Sequence, residues 1–199
     1  MFNCQMGYAK KMSLVEYVSY FFSFRRGRTS TGMVITCLME MIVGNSILIA
    51  DPFFLECDSN ENLVQDEDNR ERYLQGEYKI ILQLIAVLQY GKLSKKLTDK
   101  AIDICEHLQN LRSAIYDYKL RVDAAEPGSR KHQSLSSVGL NYLIRYFYLI
   151  VFADYLLEEA VEIKKGQDEM ARPQVSFSLW LENRREITNI GRKSNQTFD

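Results

Sequence analysis

The chain has 199 residues, with 25 Lys and Arg against 26 Asp and Glu and a formal net charge of −1. That balance lacks the basic excess a phosphate backbone demands, so nucleic acid is not an expected partner. With 46% hydrophobic and 26% charged residues and only three prolines, the composition excludes a disordered or low-complexity chain and fits one globular domain with a core.

Residues 1–32 are irregular and punctuated by glycine and arginine. A helix is predicted over 31–43. Met33, Val34, Ile35, Leu38, Met39 and Ile42 make it apolar on nearly every side, hence buried, with Gly44-Asn45 as its C-cap. Residues 56–72, acid-rich from Glu56 to Asp68 and then carrying Arg70 and Arg72, read as a solvated loop. A second helix is predicted over 74–89, from Ile80, Ile81, Leu84, Ile85 and Leu88 at helical spacing, and is ended by Gly91. A third runs from Ser94 or Thr98 to about Asp123 along the stripe Leu97, Ala101, Cys105, Leu108, Leu111 and Ile115. Glu126-Pro127-Gly128-Ser129 breaks the chain before a fourth helix, roughly 135–164, whose tyrosines and phenylalanines need a core. Beyond Pro173, residues 176–187 form a short amphipathic helix with Trp180, and 188–199 are a loose tail.

By periodicity the protein is predominantly helical. Residues 33–50 and 138–157 approach the length of a membrane span but contain Glu40, Arg145 and Asp154. A charge at mid-span costs about 2.5–3.5 kcal/mol, so both read as core helices and no membrane is expected. The four cysteines include no C-x-x-C pair and there are two histidines, which gives no zinc site. No secretory pattern opens the chain, so a reducing, cytoplasmic setting with free thiols is expected. Cys37 and Cys105 fall at core positions as inert small hydrophobes. His107 and His132 read as structural, and Arg184-Arg185 as a solvated pair.

The chemistry concentrates before residue 34. Arg26-Gly27-Arg28-Thr29-Ser30-Thr31-Gly32-Met33 leads into the first helix, and a glycine-containing turn at a helix N-terminus is an anion site. Upstream, Asn3-Cys4-Gln5-Met6-Gly7 ends at a glycine. If residues 8–25 are removed, Cys4 and Arg28 bracket five residues, and Thr29 follows. That C-x5-R string is the phosphate loop of cysteine-dependent phosphatases. The joined string resembles the paladin family, in particular a fungal paladin-like repeat, related to tyrosine-phosphatase-like inositol polyphosphatases (phytases). The resemblance extends through Glu77-Tyr78-Lys79-Ile80-Ile81, Lys92-Leu93, Leu97-Thr98-Asp99, Asn110-Leu111-Arg112, Ala114-Ile115-Tyr116-Asp117 and Asn141-Tyr142-Leu143-Ile144-Arg145-Tyr146. It covers most of residues 1–7 and 26–187.

The resemblance implies a Cys4 thiolate that attacks phosphorus, with Arg28 gripping the equatorial oxygens and Thr29 bonding the sulfur. It also implies that the amides of Gln5, Met6, Gly7, Arg26 and Gly27 cradle the phosphate. The substrate implied is a phosphorylated small molecule, such as an inositol polyphosphate, or a phosphoprotein, and no cofactor is expected. The fold implied is the C-terminal helical part of an α/β cysteine-phosphatase whose parallel sheet is mostly missing. No Asp here matches the family's general acid, and almost nothing precedes Cys4. The chain is therefore expected to be an inactive fragment, with other repeats of a longer parent chain as its partners. The domain is expected to span 1–187.

In the chain as it stands, 23 residues separate Cys4 from Arg28, too many for a compact nest. Residues 8–25 therefore read as a translated intron or an insertion. Their removal keeps the frame. Gly7-Tyr8 can encode a GU donor, and Phe21-Phe22-Ser23-Phe24-Arg25 can encode a pyrimidine tract ending in an AG acceptor. Two other readings remain open: a silent phosphate-binding scaffold, and a plain helical interaction module.

Overall fold

The computed structural model describes residues 28–44, 67–105, 110–164 and 175–193. Among the described residues there is no strand, and the chain is predominantly α as its periodicity predicts. Helix α1 (Arg28–Met39) runs into a π-helical turn, Glu40–Gly44. Then come α2 (Glu67–Leu74), α3 (Lys79–Val87), α4 (Gly91–Ile104), α5 (Leu111–Asp123), α6 (Arg130–Lys164), α7 (Phe177–Glu182) and α8 (Arg185–Lys193).

Helix α6 is the hub. Every residue from Leu149 to Leu157 is buried, and a helix buried all round must be covered on every side. Helices α1, α4, α5 and α7 and the π turn pack on it. By length and apolarity α6 could cross a membrane, but its residues 149–157 are covered by protein. Most of the aromatic stripe is core, as expected: Tyr146, Phe147, Phe152 and Tyr155 are buried, while Tyr142 and Tyr148 are half-buried. Phe177 and Trp180 of α7 complete the cluster, with ring centroids 5.5 Å and 5.6 Å from Tyr155. The Tyr155 hydroxyl donates to the Val175 carbonyl at 2.9 Å, and burial pushes its pKa up to about 12.

Several predicted boundaries are corrected. Helix α1 starts at Arg28, before the predicted 31, and is a one-faced helix. Val34, Ile35 and Leu38 are buried while Met33, Thr36 and Glu40 are exposed. Residues 67–72, expected in an acidic loop, lie in α2, while 56–66 fall outside the described residues. The helix predicted over 74–89 is broken, because Gly76 takes φ +78° between α2 and α3, a conformation that glycine adopts freely. Gly91 starts α4 and does not end α3. A Cβ there would lie 2.1 Å from the Ile85 carbonyl oxygen, so the bare backbone lets α3 and α4 approach.

The predicted third helix is two. Cys105 closes α4 with its N–H on the Ile102 carbonyl, and Asn110 caps α5 by accepting from the N–H groups of Arg112 and Ser113 at 3.0 Å and 3.3 Å. His107 and Leu108 fall outside the described residues. Helix α6 begins at Arg130, before the predicted 135, because the Ser129 hydroxyl accepts from the His132 N–H at 3.1 Å. The predicted helix over 176–187 is divided into α7 and α8. Residues 188–193, expected in the tail, belong to α8, where Ile190 packs against the core.

Candidate functional site

Of the predicted site residues, Cys4, Gln5, Met6, Gly7, Arg26 and Gly27 lie outside the described residues, as do 8–25. Arg28 and Thr29 are the first two residues of α1 and are described by their backbone. The first-turn amides of a helix have no partner within it and carry the positive end of its dipole. In α1 those amides lie at the end where residues 26 and 27 join. Helix α1 is held against α4 and α6, with Val34, Ile35 and Leu38 in the common core.

Three polar constellations brace this helical body. The first joins α4, α5 and α6 at Asp99. Its carboxylate accepts from the Tyr146 hydroxyl at 2.7 Å and from Lys95 Nζ at 2.8 Å, and it forms an ion pair with Arg112 Nη1 at 3.3 Å. Arg112 also reaches Asp103 at 2.5 Å, and Lys95 Nζ donates to the Gln75 carbonyl at 2.7 Å. Burial, reinforced by the Asp99 charge, pushes the Tyr146 pKa well up, so the phenol stays protonated and donating. Asp99, Arg112 and Tyr146 belong to separate strings of the sequence resemblance, and the fold brings them to one point.

The second is Asp154, wholly buried in α6. Its Oδ1 accepts from the Tyr90 N–H at 2.8 Å and lies 3.0 Å from the Ser94 hydroxyl, while its Oδ2 has no partner. Tyr90 precedes α4 and offers no side-chain cap, so a carboxyl from another helix takes that place. Burial raises the Asp154 pKa; the bonds from Tyr90 and Ser94 oppose the rise. A carboxyl whose folded pKa is raised contributes stability below its unfolded pKa and loses it as pH climbs through the folded value. Urea unfolding should therefore show the wild type gaining stability over Asp154→Asn as pH falls from neutral toward 4. A constant difference between the two across that range would contradict this.

The third corrects the reading of Arg184-Arg185 as a solvated pair. Arg184 bonds both carboxylate oxygens of Glu158, at 2.7 Å and 2.6 Å, and lies 4.7 Å from the Trp180 ring centroid. The Trp180 Nε1–H donates to the same carboxylate at 2.9 Å. Arg185 is exposed. Cys37 is half-buried and Cys105 buried, both free, and burial first of all pushes both thiols up, away from the thiolate a nucleophile needs. Among the described residues no group of His, Cys, Asp or Glu is arranged to hold a metal ion.

Periodicity does not identify Asp99, Asp154 or Glu158, since each sits where its helix pattern allows either core or surface. The sequence sign for Asp154 is a carboxylate inside an apolar run. No family model matches the chain, and no solved structure does. Three curated relatives are proteins named Paladin. That of Gallus gallus is 30% identical over 194 residues, covering 92% of this chain and 19% of the relative. The Xenopus tropicalis protein is 32% identical over 180 residues (86% of this chain, 18% of the relative), and the Mus musculus protein 29% over 164 (78% and 16%). The chain thus spans less than a fifth of the length of these relatives. Over that segment, the chain belongs to the paladin family.

Proposed function

We propose that the chain is a segment of a protein-tyrosine-phosphatase-like enzyme that hydrolyses phosphate monoesters, of inositol polyphosphates or phosphoproteins, and that it is inactive as this chain alone. In this reading the Cys4 thiolate attacks phosphorus in line. An S–P bond forms as the bond to the leaving oxygen breaks, and water then cleaves S–P to release phosphate. Arg28 holds the equatorial oxygens, the amides of Gln5, Met6, Gly7, Arg26 and Gly27 cradle the rest, and Thr29 bonds the sulfur. The proposal includes a cytoplasmic setting and the other repeats of a longer parent chain, without nucleic acid, membrane or cofactor.

The observation that carries this reading is the start of α1 at Arg28. The helix opens at the residue where the C-x5-R pattern ends, which supports reading its first-turn amides as part of the phosphate cradle. The 23 residues between Cys4 and Arg28 favour a second reading for the uninterrupted chain, a phosphate-binding pseudophosphatase or helical scaffold without turnover.

Two measurements separate the readings. Transcript sequencing should find the codons for 8–25 spliced out; uniform retention leaves a plain insertion. The parent protein without those residues should release phosphate from inositol hexakisphosphate or a phosphotyrosine peptide. Its Cys4→Ser variant should lose at least about a thousandfold in rate. A parent protein with no turnover, or one that Cys4→Ser leaves unchanged, selects the scaffold.

A further inference from the structure

Helices α5 and α6 form a hairpin across the short connection at 124–129, and on it exposed Arg121 and half-buried Tyr118, Tyr142 and Arg145 make a row, the tyrosines resting on the core. Tyr118 and Tyr142 meet with ring centroids 5.5 Å apart. The Arg121 guanidinium carbon lies 5.4 Å from the Tyr118 centroid, and that of Arg145 lies 5.2 Å from the Tyr142 centroid. Each arginine comes from three residues further along the helix of its own tyrosine, which is the spacing that stacks neighbours on one face. The two helices run in opposite directions, so the cations stand at the two ends of the ring pair.

The row lacks counter-charge. Among the described residues neither Arg121 nor Arg145 has a carboxylate within ion-pair distance. Helix α6 carries no Asp or Glu from Arg130 to Ala153. On α5, Asp123 is held by Lys119 at 3.3 Å, and Asp117, one turn before Arg121, is exposed and forms no ion pair with it. Arg145 is half-buried, and burial pulls its guanidinium below the ordinary value, with Tyr142 opposing the shift. A cation already stripped of part of its water, with no carboxylate beside it, gains more from an arriving one than a fully hydrated cation does. Tyrosine and arginine are also the side chains most enriched at the energetic centres of protein interfaces.

We propose that the row Arg121–Tyr118–Tyr142–Arg145 is a docking surface for an acidic protein segment. Its Asp or Glu carboxylates pair with the two guanidiniums, and an apolar side chain between them covers the rings. A single phosphate group would require both forks to converge on one point, and here two aromatic rings stand between them. An extended chain of acid, apolar and acid residues matches the row. The inference does not rest on the phosphatase reading.

The test uses the full chain and a short labelled peptide alternating Glu with Leu, followed by fluorescence anisotropy. Arg121→Gln and Arg145→Gln should each weaken binding about fivefold to tenfold, and together about thirtyfold or more. The pair Arg130→Gln/Lys131→Gln, exposed cations at the start of α6, should change it less than about twofold. Arg121 is exposed, so its variant reports even where Arg145→Gln disturbs the fold. Absence of wild-type binding overturns the proposal. So does an equal loss in the Arg130/Lys131 pair, or displacement of the peptide by an equal concentration of inorganic phosphate.

Discussion

Replacing Asp99 with alanine should lower the unfolding free energy by about 3–5 kcal/mol. The carboxylate is only 14% exposed and is shared by a phenol, an ammonium and a guanidinium on three helices. Its removal leaves the wholly buried Tyr146 hydroxyl without an acceptor. It also leaves Lys95, 18% exposed, without a carboxylate and Arg112, 15% exposed, with Asp103 alone. Arg112 Nε already lacks a partner. The penalty is that of stranding buried donors, which exceeds the net worth of the bonds themselves. Asp99→Asn keeps an acceptor for Tyr146 and loses the charge, so it should cost about half as much. Urea titration followed by circular dichroism measures both. An alanine variant within about 1 kcal/mol of the wild type would mean that water replaces the carboxylate freely.

Gly91→Ala should cost about 3 kcal/mol, the upper end of overpacking losses. The new methyl would meet the Ile85 carbonyl oxygen at 2.1 Å and the Ile85 Cα at 2.8 Å. Those are backbone atoms, and no rotamer change relieves them. The corner between α3 and α4 must open, and the Tyr90 N–H is drawn away from Asp154 as it does. Gly32→Ala is the matched control. It lies inside α1 with nothing within 4 Å of the added Cβ, so it should gain about 0.5–1 kcal/mol from helix propensity. Thermal melts of the two variants should move in opposite directions; movement in the same direction would sink the steric argument.

The parts of the fold legible in the sequence are those that repeat. Helical spacing of Ile80, Ile81 and Leu84 marks α3, and the aromatic density of 142–155 marks the hub. The breaks were harder to read, because a single residue makes each one. Gly76 breaks a periodic run through a positive φ that spacing does not record, and Asn110 caps a helix within an apolar stripe that continues unbroken. Gly91 is ambiguous by type, and proximity to Ile85, invisible along the chain, decides that it starts a helix. The polar constellations were illegible for the same reason. Tyr146 and Asp99 are 47 positions apart and Tyr90 and Asp154 are 64 apart, so pattern within a window connects neither pair. The loop from Cys4 to Arg28 is the reverse case. The C-x5-R pattern of the proposed site appears once 8–25 are set aside, and all of it except the start of α1 lies outside the described residues.

Burial of α6 on all sides between Leu149 and Leu157 sets an order of events during synthesis. The ribosome delivers α1 long before that stretch, and α1 has α4 and α6 as its supports. Its apolar stripe therefore meets α4 first and gains the rest of its cover only when α6 has emerged. A nascent chain stalled before residue 149 should leave that first helix more accessible to protease than a chain released past 164.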